Sequence, residues 1–297
     1  MNSKLETKRL LIYLILSFGM AWAIFFVFIL TGHTWVDADQ SLLSFVSLGM
    51  LCPVIAHLLT RWITREGYAM TGEGSMLLGI SFKNKKWIFF LFAMLIPWVY
   101  GELGNGLVLL FSPACFEPEY YKILEIEKKL IPIIPITCIV TGTIGSFAAF
   151  GEEGGWRGYM MPKLISLIKM KKAVIVGGII WGLWHVPLIC VGHNFGMDYP
   201  GFPYLGVLAM CIYSVFTGII LTYVTVRSQS VWPAAILHGV NNASPSILQA
   251  FMNPEKFTGL MSNSVARALV YAIPVMIIGC ICLWRLCRDN AEIKPCN

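Results

Sequence analysis

Residues 10–30, LLIYLILSFGMAWAIFFVFIL, run for 21 positions without a charged side chain. At ~1.5 Å per residue such a helix is about 31 Å long, the thickness of one bilayer core. Lys4, Lys8 and Arg9 precede it. The run is too long for a signal-peptide core and lacks a clear small-x-small cleavage pattern, so it reads as a retained first transmembrane helix. Seven further apolar runs follow at 42–63, 87–111, 131–150, 173–191, 204–226, 231–251 and 268–287, separated by polar or Gly/Pro-rich breaks. Of the 297 residues, 57% are hydrophobic and 13% charged, whereas roughly 25% is usual for a soluble domain. The pattern predicts an all-α, polytopic transmembrane helix bundle of about eight spans. It would form one multi-pass domain over 1–297 in the cell membrane, with the lipid bilayer as its first partner.

The basic residues orient that bundle. With the N-terminus in the cytoplasm, 17 lysines and arginines fall on the cytoplasmic side, and 5 (Lys122, Lys128, Lys129, Lys256 and Arg267) fall on the other. The positive-inside rule therefore predicts N-in and C-in. The net charge of +6 is an orientation signal and not a nucleic-acid footprint. Nine cysteines, with no C-x-x-C pair, read as small packing residues in helices. The stretch 151–172 is too polar to cross simply. An amphipathic helix at the cytoplasmic interface fits it, and an ordinary basic loop fits its second half equally well.

Ionisable side chains at membrane depth need a partner or a cavity. In FGEEGGWRGYM (150–160), Glu153 and Arg157 stand at i and i+4 with the acid first, the favourable order for an ion pair. Glu152 is turned ~100° away and needs other company. The two carboxylates fit one structural acid and one general base; solvation of both among the headgroups is the alternative. In WGLWHVPLI (181–189), Trp181 lies one turn before His185 and can orient its imidazole. Pro187 leaves the Leu183 carbonyl without its helical donor. In AILHGVNNASPSIL (235–248), His238 and Asn242 share a face and Asn241 lies off it. Glu102 and Asn105 are weaker candidates for the same cavity. His57 reads as a packing histidine, and His33 and His193 as unremarkable loop residues.

A desolvated glutamate can take a proton from water, and histidine and asparagine can donate to an oxyanion. No serine or cysteine stands in a nucleophile-elbow context, and no H-E-x-x-H occurs. A zinc site from His185, His238 and Glu152 would nonetheless satisfy the three-ligand rule.

These motifs resemble those of the CPBP family of intramembrane proteases (CAAX protease and bacteriocin-processing, also called Abi). EEGGWR matches its E-E-x-x-x-R. WGLWH is similar to an aromatic residue four before a histidine, with Trp181 where Phe is usual. HGVNN matches H-x-x-x-N. The matched core runs from about residue 142 to 242, a third of the chain. The resemblance implies an endopeptidase acting near the cytoplasmic face on membrane-associated peptide or protein substrates. Glu152 would activate water with help from His185, Glu153 and Arg157 would orient, and His238 and Asn242 would hold the oxyanion. Its metal requirement is open. A non-catalytic binding or immunity protein, or a small transporter, is the alternative, although no internal symmetry favours a transporter. Depth sets a condition on the protease reading. His185 and His238 sit ~20 Å and ~12 Å into their runs at ~1.5 Å per residue, while Glu152 falls at a boundary. The fourth span must therefore begin later, after Pro135, with all three residues sharing one cavity open to the cytoplasm.

Overall fold

Three long helices open the chain in the computed structural model, which describes residues 3–288: α1 (Ser3–Leu30), α2 (Gln40–Ile63) and α3 (Trp87–Phe111). Lys294, counted above among the basic residues, lies outside the described residues. Asp39 starts α2. Its Oδ1 accepts the Leu42 amide at 2.8 Å, an N-cap that together with the Ser41 hydroxyl holds the carboxyl below its ordinary range. Then come α4 (Ile134–Ile144), α5 (Ser146–Gly155), a π-helical turn (Trp156–Met160) and α6 (Met161–Trp184). The rest is α7 (Tyr204–Ser228), α8 (Trp232–Asn242), α9 (Ser264–Tyr271) and α10 (Ile273–Arg288).

By length and apolar composition four of these helices can cross a membrane, and six spans result if each of two sharply bent helix pairs counts as one. The protein is thus a polytopic helical membrane bundle. Several of the eight apolar runs are shorter or more broken than expected: the fourth is divided between α4 and α5 at Gly145, and α6 ends at Trp184 within the fifth. The seventh is α-helical only over Trp232–Asn242, with a 3-10 turn over Leu248–Phe251; Ser244, with a positive φ of 49° ahead of Pro245, separates the two. The eighth is split between α9 and α10 by a 42° bend near Pro274.

The stretch 151–172 departs furthest from expectation. Residues 151–164 lie almost wholly buried inside the bundle and not at an interface. At ~1.5 Å per residue the 29 positions from Glu152 to Trp181 would span about 44 Å of straight helix, yet these two side chains are bonded at 2.7 Å. The chain therefore doubles back. The reversal is at Lys169, whose φ of 66° and ψ of 159° break α6. The polar residues tolerate burial because each finds a partner: Arg157 meets Glu153, and Lys163 meets both Glu6 (2.7 Å) and Glu66 (2.5 Å).

Glycine lets the descending arm approach α2. A Cβ on Gly151 would lie 2.5 Å from the Met50 carbonyl oxygen, and one on Gly155 2.5 Å from Pro53. An aromatic column ties the hairpin to α1. Tyr13 packs edge-on to Trp156 at 5.8 Å, and Phe25 packs edge-on to Trp184 at 5.1 Å.

The bundle has two chemically distinct ends. At one, the start of α1, the 64–86 connection, Lys163 and the α7–α8 turn meet through Lys163–Glu6, Arg9–Thr64, and the Leu77 and Leu78 carbonyls bonded to Val231 and Trp232. At the other, the connections 31–39, 112–133, 190–203 and 243–263 meet. There the Trp35 amide donates to the Val191 carbonyl, Ser264 to the Phe195 carbonyl, and Asn253 to both the Cys115 carbonyl and Glu117.

Candidate active site

Near the end of α5, Glu152 and Glu153 leave the helix in different directions. Glu153 is fully buried. Its Oε1 accepts from Arg157 Nη1 at 3.1 Å and lies 2.8 Å from His238 Nδ1 on α8. Since a carboxylate only accepts, Nδ1 carries the proton. Glu153 Oε2 and Arg157 Nε have no hydrogen-bond partner. Arg157 stacks over the Trp181 ring, 4.4 Å from its centroid, which spreads its charge onto an aromatic face.

Glu152 sits on the other side of that pair. Its Oε2 accepts two indole N–H groups, from Trp181 at 2.7 Å and Trp156 at 3.4 Å, while Oε1 has no protein partner among the described residues. Trp181 is the hub of the arrangement: its ring centroid lies 5.5 Å from that of His238 and 6.0 Å from that of His185. His185 follows the end of α6, where the chain breaks ahead of Pro187. Its Nδ1 lies 2.9 Å from the Trp181 carbonyl oxygen, so Nδ1–H donates and Nε2 is left free of the backbone. Trp181 therefore does more than steady the imidazole, because its indole also holds the carboxylate.

Glu152, His185, His238 and Asn242 line one cavity of about 960 Å³, together with Trp181 and Asn241. Glu153 and Arg157 stand behind its wall. Asn241, which the helical spacing turned off the His238 face, is placed at the cavity by two tyrosines. Its Oδ1 accepts from Tyr100 at 2.6 Å and Tyr213 at 2.8 Å, and its Nδ2 reaches Asn242 Oδ1 at 3.4 Å. That contact leaves the Asn242 amide N–H₂ as a donor. Of the two weaker candidates, Asn105 lines the cavity and Glu102 does not. Glu102 instead accepts from Ser246 at 3.0 Å and from the Ile247 and Leu248 amides, capping the turn beyond α8.

Three residues passed over in the sequence bear on the site. His193 also lines the cavity, with its ring parallel to His185 at 6.0 Å and edge-on to Trp35 at 4.2 Å. Arg267 is, with Glu152, one of only two formally charged side chains in the lining. His57 is more than packing. Its Nδ1 lies 2.8 Å from the Gly154 carbonyl oxygen, and Arg61 donates to its Nε2 at 2.6 Å, fixing a neutral Nδ1–H tautomer that grips the backbone of the glutamate turn. No motif marks His193 or Arg267, whereas the i, i+4 spacing of His57 and Arg61 on α2 is a local signal; the bond from His57 to Gly154 is the part that spacing cannot show.

The zinc set considered from the sequence is not assembled. Among the described residues no three His, Cys, Asp or Glu side chains are grouped to hold a metal ion.

The cavity mouth is formed at the 31–39, 112–133, 190–203 and 243–263 end: Trp35, Tyr120, His193, Gln249 and Phe257 line it, and no residue of the 64–86 connection does. N-in orientation and an opening to the cytoplasm were both expected. This geometry does not permit both, because the mouth lies at the end opposite α1's start.

The segment that carries this geometry also carries the resemblance. The family described as type II CAAX prenyl endopeptidase Rce1-like matches residues 134–244. A protein named CAAX prenyl protease 2, from Methanococcus maripaludis, is 31% identical over 137 residues, which is 42% of this chain and 46% of that relative's length. Through this segment, 111 of the 297 residues, the chain is similar to the CPBP family. The matched CPBP segment runs from the start of α4 to just past α8, and so contains Glu152, Glu153, Arg157, His185, His238 and Asn242. His57, Arg61 and Arg267 lie outside it.

Proposed function

We propose that the protein is an intramembrane endopeptidase that hydrolyses peptide bonds of membrane-associated peptide or protein substrates with a water activated by Glu152. One observation carries this reading: Glu152, His185, His238 and Asn242, from three separate helical segments, converge on one cavity, with Glu152 anchored through one oxygen only. Oε1 takes a proton from water as the hydroxide oxygen bonds to the carbonyl carbon. His185 steadies that water through Nε2. The carbonyl electrons move to oxygen, giving an oxyanion that accepts from Asn242 Nδ2 and His238 Nε2–H. The oxyanion collapses, the C–N bond breaks, and Glu152 returns its proton to the leaving amine.

For Nε2 of His238 to donate, the ring needs a second proton, because Nδ1–H is already given to Glu153. That proton brings Glu152, Glu153, Arg157 and His238 to zero net charge, the state in which a buried group costs least. No step runs through a metal, since the donors do not converge on one.

The experiment is peptide mass spectrometry of membranes containing the wild-type chain or Glu152→Ala. The reading expects peptide termini present only with the wild type. Identical peptide sets, with both proteins folded, would overturn it.

A further inference from the structure

We infer that the active-site cavity is entered from the non-cytoplasmic side of the membrane. The peptides it takes would then be exported or outward-anchored ones whose cut segment lies at the outer face. The substrate part rests on the proposed peptidase activity; the placement of the mouth does not.

The argument joins two observations that are independent of catalysis. First, hydrogen bonds sort the connections into two ends. The mouth is built from the end where Trp35 meets Val191, Ser264 meets Phe195 and Asn253 meets Cys115. The chain reaches that end by leaving α1 at Leu30, and returns from it along α7 and α10. Second, charge is divided between the same two ends. Arg157 is buried in the core and Lys294 lies outside the described residues. Setting those aside, 15 lysines and arginines belong to the end holding α1's start, and 5 to the mouth end. Of those 5, Lys122, Lys129 and Lys256 are each paired with a glutamate, at 2.7, 2.6 and 2.8 Å. A positive-inside bias of this size retains the basic end in the cytoplasm, because moving lysine and arginine across the bilayer is opposed during insertion. The mouth is then outside.

Glu152 lies on α5, which follows α4 down from the mouth end, and it lines the same cavity as Trp35, Tyr120 and Gln249. A peptide segment entering that cavity from the outer face reaches it, whereas a segment coming from the basic end meets the buried Glu6–Lys163–Glu66 cluster first.

The test is thiol accessibility in intact cells. In a chain whose nine native cysteines are replaced, Glu255→Cys and Asp198→Cys report the mouth end and Glu73→Cys the basic end; all three positions are exposed and none lines the cavity. A membrane-impermeant maleimide is expected to label the first two in intact cells and Glu73→Cys only after permeabilisation. The reverse pattern overturns the inference. If the cysteine-free chain does not fold, C-terminal fusions to the unaltered chain give the same answer. A reporter that matures only in the cytoplasm is expected to be active, and one that needs export to be silent; the opposite pair of results overturns the inference. An outside mouth without cleavage of any peptide would leave the placement standing and remove the peptidase reading. Cleavage with the mouth inside would do the converse.

Discussion

The two ends of the bundle use the same chemical groups to opposite effect. At the basic end Glu6, Glu66, Arg9 and Lys163 are nearly closed off from solvent, and Tyr159 adds its hydroxyl to Glu66 at 2.8 Å. At the mouth end Lys122–Glu119 and Lys129–Glu127 are solvent-washed pairs around an open cavity. Burial is what separates them. A buried pair leaves an uncompensated charge when one partner is removed, whereas an exposed pair merely returns to water. The basic end should therefore carry stability, and the cavity end chemistry.

The largest expected effect is on catalysis. His238→Ala removes a proposed oxyanion donor and should lower kcat per folded molecule by roughly 10²–10³-fold, with a smaller stability loss of about 1–2 kcal/mol from the hydrogen bond to Glu153, which keeps Arg157. Loss of folded protein instead of loss of turnover would erase the distinction between the ends. Next comes Lys163→Ala, which removes one charge-assisted bond each from Glu6 and Glu66 while Arg9 and Tyr159 still hold them; it should destabilise the protein by about 3 kcal/mol, read by thermal unfolding in detergent. Activity per folded molecule should persist. His57→Phe deletes the grip on the Gly154 carbonyl and leaves Arg61 without one acceptor. It is expected to cost about 1–3 kcal/mol, with a smaller fall in kcat than His238→Ala. Lys122→Ala should leave the melting temperature unchanged. Incubation with a divalent-metal chelator should likewise leave the rate of wild-type cleavage unchanged; a chelator-sensitive rate restored by zinc would mean that the site rearranges around a metal.

The same contrast explains what could be read along the chain. The first three long helices and α7 follow from uninterrupted apolar runs, and the Glu153–Arg157 pair from helical spacing. Both are local signals. The hairpin of 151–184 was hidden because the partners that let Lys163 enter the bundle are Glu6 and Glu66, 157 and 97 residues away. A lysine-bearing stretch looks interfacial until its counter-charges are known. Asn241 was misjudged for a related reason. Helical angle places a side chain relative to its own axis, but Tyr100 and Tyr213 on neighbouring helices decide where the amide ends up. His193 stands in a connection with no periodicity and Arg267 on the short helix α9, so only the packing of the mouth end brings them to the cavity wall.

The glutamates, adjacent in sequence, are functionally separate in space. Glu153 is held by Arg157 and His238 behind the cavity wall, and Glu152 is held by two indoles with one oxygen free. The most direct test of that separation is cleavage of a membrane-peptide library by purified protein in ¹⁸O-labelled water. The wild type should yield new C-terminal carboxyl groups carrying ¹⁸O, and folded Glu152→Gln should yield none. Labelled product from Glu152→Gln at the wild-type rate would contradict the account.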